Sequence, residues 1–101
     1  MKKINSNNYV APKISGLGHI EYCLWIDKNG NLYIQIIENE ASGTFSKLLF
    51  SVSQCQEKRK CTKSLGSLEA FDIESCQFKT VNDNNNGAFL KAILNNLLPD
   101  D

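Results

Sequence analysis

Apolar and polar residues alternate most regularly from His19 to Glu38, in HIEYCLWIDKNGNLYIQIIE, which predicts a β-hairpin folded about Asp27-Lys28-Asn29-Gly30. Two registers fit that turn. A two-residue Asn29-Gly30 turn pairs Ile26 with Tyr33 and mixes apolar with polar residues on both faces. A three-residue loop places a type I turn over the same four residues, with Gly30 in the left-handed region, and pairs Trp25 with Tyr33 and Ile26 with Leu32. One face is then Ile20, Tyr22, Leu24, Ile26, Leu32, Ile34 and Ile36, with only Glu38 polar at its end. The other carries Glu21, Cys23, Trp25, Asp27, Tyr33, Gln35 and Ile37. A one-residue slip exchanges a strand's inward and outward sets, so the cleaner partition decides for the three-residue loop.

Beyond the hairpin, Asn39 to Gly43 reads as a turn, and Leu48, Phe50 and Val52 alternate with Lys47, Ser51 and Ser53, predicting a third strand over about 44–54. The polar run 55–67 reads as a long loop. Leu68, Phe71 and Ile73 fit one helical turn, or 70–73 a short strand, and the alternation from Cys76 to Val81 predicts an edge strand. Asp83-Asn84-Asn85-Asn86-Gly87 then supplies helix-starting residues. Phe89, Leu90, Ile93, Leu94, Leu97 and Leu98 form one stripe at the helical period, and Pro99 stops the helix. About twelve residues are too few for a stable lone helix in water, so the stripe must be buried, and the Ile20–Ile36 face is the expected seat. Residues 1–18, punctuated by Asn, Pro and Gly, read as an irregular lead-in, and 19–101 as a single domain. The expected fold is α+β: an antiparallel sheet of about four or five strands, largely a meander, with one C-terminal amphipathic helix packed on one face.

Composition changes this picture little. A chain of 101 residues can bury one ordinary core without staples. Eleven basic and eleven acidic residues cancel, which argues against a general polyanion binder, because nucleic-acid affinity rests on neutralising phosphates. Met1-Lys2-Lys3-Ile4 is followed by polar Asn5 to Asn8 rather than an apolar run, so neither a secretion signal nor a membrane span is expected. The chain reads as cytoplasmic, with Cys23, Cys55, Cys61 and Cys76 as thiols.

Candidate chemistry is sparse. Zinc sites favour two closely spaced ligand pairs, whereas Cys55 and Cys61 are a single pair with too long a spacer, so no metal and no cofactor is expected. Cys61, between Lys60 and Lys63, is the thiol that neighbouring charge would activate. His19 has Glu21 nearby but no nucleophile motif, and the carboxylates Glu38, Glu40, Asp72 and Glu74 near strand ends come with no spacing that fixes acid–base work. The chain is therefore expected not to be an enzyme. Lys58, Arg59, Lys60 and Lys63 form a local basic cluster, which supports an alternative reading as a nucleic-acid-binding accessory protein. The leading expectation is a small binding module making protein–protein contact, a second copy of the chain included, so that a homodimer is admitted. Trp25, Tyr33 and Ile37 would anchor that contact, with Cys23 and Gln35 beside them. A small-ligand module, with a cavity under the helix, is a further alternative.

Overall fold

The computed structural model of the chain describes residues 1–37, 45–58, 66–82 and 87–97. Among these, seven strands form one antiparallel sheet. Strand β1 (Lys2–Lys3) and strand β2 (Tyr9–Pro12) both pair with β3 (His19–Ile26), which is paired on its other side with β4 (Leu32–Ile36). The meander continues through β5 (Leu48–Ser51), β6 (Ser67–Asp72) and β7 (Gln77–Asn82). A 3-10 turn (Phe45–Lys47) precedes β5, helix α1 (Val52–Lys58) follows it, and α2 (Gly87–Leu97) comes last.

The hairpin has the three-residue loop. Trp25 pairs with Tyr33 and Ile26 with Leu32. The Asp27 amide donates to the Asn31 carbonyl at 3.1 Å, and Gly30 sits at φ +86°, where only glycine is unstrained. The Asp27 carboxylate accepts the amides of Asn29 and Asn31, each at 2.9 Å, closing the turn from inside.

Both helices lie on one side of the sheet. Leu90, Ile93 and Leu94 of α2 and Cys55 of α1 share a core with Ile20, Tyr22, Ile34, Ile36, Leu48 and Phe50. Each large side chain so buried contributes about 1.5–3 kcal/mol, which is what holds an eleven-residue helix that would not persist alone. The Tyr22 ring is buried, and the Asn96 amide donates to its hydroxyl at 2.8 Å, fastening the last turn of α2 to β3.

The expected four or five strands become seven because the supposedly irregular lead-in supplies two. Both run along one edge of β3, interrupted at Asn5 to Asn8. At the interruption the Asn5 side chain takes over the ladder, its carbonyl accepting the Leu24 amide at 2.9 Å while the Ile4 amide donates to the Leu24 carbonyl at 2.8 Å. The strand alternative expected over 70–73 is the one observed, but it starts earlier and ends before Ile73, over Ser67–Asp72. The third strand is shorter than expected, and part of the predicted loop is α1. Ser51 ends β5 and caps the helix, its hydroxyl accepting the Gln54 amide at 3.4 Å, and Val52 and Cys55 then fall one helical turn apart on the core side. Helix α2 starts at Gly87, as the helix-starting run expects, and runs to Leu97, while Leu98 and Pro99 lie outside the described residues.

Candidate interaction face

The sheet face opposite the helices collects the residues that strand alternation turns away from the core. Pairing aligns Cys23 with Gln35, Leu49 with Phe71, and Phe71 with Phe78. A second row joins Trp25, Tyr33 and Ser51, and Glu69 pairs with Thr80. The five side chains expected to form a contact patch do come together here, but unequally. Cys23 has no exposed surface and Tyr33 only 8%, whereas Trp25, Gln35 and Ile37 are half-buried.

Polar bonds within the chain account for that burial. The Cys23 thiol donates to the side-chain carbonyl of Asn8, in the interruption between β1 and β2, at 3.1 Å. The Trp25 indole donates to the side-chain carbonyl of Gln35 at 2.8 Å, and the Gln35 side-chain amide donates to the Ser46 backbone carbonyl, also at 2.8 Å. That relay ties the aromatic to the connection ahead of β5. Tyr33 donates to Asp27 at 3.4 Å. Burial first, then the charge of Asp27, pushes the Tyr33 phenol above its ordinary value, so it remains a neutral donor. The Asp27 carboxyl is held below its ordinary value, chiefly by the Asn31 amide.

The β5–β7 half of the face is different. The Phe78 ring meets Phe71 edge-on at 5.2 Å between centroids and is still 53% exposed. Where β5 leaves the sheet after Ser51, the side chain of Gln54 replaces a strand: its amide donates to the Glu69 carbonyl at 2.9 Å, and its carbonyl accepts the Glu69 amide at 2.8 Å. The substitute completes the ladder but does not fill the face. The result is an open depression of about 300 Å³ lined by Tyr33, Ser51, Gln54, Glu69 and Phe78. Phe78 was legible as an alternating position of an edge strand. Ser51, Gln54 and Glu69 had no signal as site residues, because the early end of β5 is what brings them together.

The remaining candidates scatter. The Lys58 ammonium is bonded to the Ser67 carbonyl, whereas Arg59, Lys60, Lys63 and Cys61 lie outside the described residues. His19 is exposed at the start of β3, paired with Pro12. Asp72 pairs with Lys79 at 2.6 Å and Glu74 with Lys47 at 2.6 Å, while Glu38 and Glu40 are outside the described residues. The Lys79 bond holds the Asp72 carboxyl down to about 2. Burial pushes the Cys55 thiol up to about 12. Among the described residues no group of three or more His, Cys, Asp or Glu is placed to share a metal ion, and no helix is long and apolar enough to cross a membrane. No protein-family model matches the chain, and no curated protein or solved structure is detectably similar to it.

Proposed function

We propose that the chain is a non-catalytic protein-binding module that meets its partner with the β5–β7 half of the outer sheet face. The observation that carries this is Phe78. A phenylalanine more than half exposed, packed on a second aromatic and adjoining a depression, leaves apolar area that a partner's side chains can cover. A second copy of the chain is one admissible partner, since a net charge of zero offers little repulsion between copies. The Trp25–Tyr33 pair serves as the support behind the contact rather than its centre, because its polar ends are bonded inside the chain.

The same reading puts the protein in the cytoplasm, with its cysteines as thiols. Cys23 is bonded to Asn8 on the outer face and Cys55 is packed in the helix-side core, so the sheet stands between them. The small-ligand alternative is not favoured, since Leu90, Ile93 and Leu94 pack against the sheet where its cavity was expected. Of the basic cluster behind the nucleic-acid alternative, Lys58 has its ammonium engaged by the Ser67 carbonyl, and Arg59, Lys60 and Lys63 lie outside the described residues.

The test is a photo-crosslinking phenylalanine analogue introduced at position 78 in cells, compared with the same analogue at exposed Lys28 on the hairpin tip. A protein adduct from position 78, self-adducts included, with none from position 28 supports the proposal. No adduct from position 78, or equal adducts from both, overturns it.

A further inference from the structure

The depression beside Phe78 has a chemistry that selects its occupant. Tyr33 and Phe78 supply aromatic rings, Ser51 a hydroxyl and Glu69 a carboxylate. Both polar ends of the Gln54 amide are already bonded to the Glu69 backbone, so the depression offers mainly acceptors and rings. The Glu69 side chain makes no hydrogen bond or ion pair among the described residues. Asp27, bonded to Tyr33 at the edge, has Asn29, Asn31 and Tyr33, all uncharged, as its partners among the described residues. The nearest lysine in the β6–β7 ladder, Lys79, is committed to Asp72. Among the described residues no cation pairs with the Glu69 carboxylate beside the depression, and the Tyr33 phenol, raised first by burial, is raised further by Asp27 and Glu69.

An anion is repelled here, and an apolar group would desolvate Glu69 and Ser51 without bonding them. A planar cation suits this lining: its face stacks on the exposed Phe78 ring and its N–H groups meet the Glu69 carboxylate. Resting on the binding reading above, we infer that the depression receives an arginine side chain from an extended basic segment of the partner protein. Glu69 pairs with Thr80 of β7, the outermost strand. A segment laid along β7 is two strand spacings from Glu69, roughly 9.5 Å, which an arginine lying over Thr80 and a glutamate reaching back span together.

The experiment titrates acetyl-Gly-Arg-Gly-amide into the full chain and follows backbone amide shifts. The same peptide with citrulline, a neutral isostere of arginine, serves as the comparison. Saturable shifts at Tyr33, Ser51, Gln54, Glu69 and Phe78, with the citrulline peptide about tenfold weaker or more, are expected. Glu69→Gln should cost the arginine peptide a similar factor, while Glu74→Gln, on the β6–β7 turn, should cost nothing. Equal binding of the two peptides by the wild-type chain, or no shift at about 10 mM peptide, overturns the inference whatever the variants do. If that happens while the position-78 adduct forms, only the arginine assignment falls. If the adduct also fails, the binding reading falls with it.

Discussion

Two cross-strand aromatic pairs share the outer face of one sheet, and they have opposite fates. Trp25 and Tyr33 face each other across β3 and β4, and Phe71 and Phe78 across β6 and β7. Tryptophan and tyrosine carry polar ends that need partners once water is displaced, and both find them locally, on Gln35 and Asp27. Those bonds draw Gln35 to Ser46 and hold the pair inside the chain's own structure. Phenylalanine makes no such demand, so nothing polar draws a neighbouring segment over Phe78, and its ring stays open. The presence of aromatics on a sheet face therefore does not identify a contact surface. Whether the chain itself satisfies them does.

The largest effect that would break this comparison is on stability. Tyr33→Ala should cost about 3 kcal/mol and Trp25→Ala about 2 kcal/mol, against less than about 1 kcal/mol for Phe78→Ala, all measured by denaturant unfolding. Equal losses at the three positions would mean the two halves are covered alike. Thiol labelling sharpens the contrast next. Exposed Cys76, on the turn of the open half, should react with a maleimide well before buried Cys23 and Cys55, read by peptide mass. Asn8→Ala should then release Cys23 selectively, because Asn8 is what the Cys23 thiol is bonded to.

The smallest effect is the pH dependence, whose acid limb draws on both halves and whose alkaline limb belongs to the closed one. Asp72 has a folded-state pKa of about 2 against an ordinary 3.8. Its stabilising contribution is complete above the ordinary value and is lost as pH falls toward 2. Asp27, held down by Asn31, adds to the same acid limb, so Asp72→Asn should shrink that limb rather than abolish it. Tyr33 is raised above its ordinary 10.0, so its contribution is present below pH 10 and lost as pH rises through the folded-state value. Tyr33→Phe should flatten the alkaline limb and, through the lost bond to Asp27, trim the acid limb slightly in an unfolding series across pH.

The parts legible from the sequence were those whose causes lie within a few residues. Asp27, Asn29 and Gly30 encode the loop and hence the hairpin register, because an aspartate that binds amides two and four residues on and a glycine at positive φ leave one geometry. The period of Phe89, Leu90, Ile93, Leu94 and Leu97 encodes α2 and its need for a seat. Helix α1 was hidden because seven residues with only Val52 and Cys55 on the core side cannot show a period.

Tertiary structure decided the rest. Strands of two and four residues along β3 carry almost no pattern of their own and exist because β3 offers them an unpaired edge. The closing of one half of the outer face depends on bonds from Cys23 to Asn8 and from Gln35 to Ser46, between residues 15 and 11 positions apart. The depression depends on Gln54 reaching Glu69, another 15 positions away. Local preference names the elements because hydrogen-bonded turns and periodic stripes are short-range. Which face is open is set by side chains that meet only after the sheet has formed.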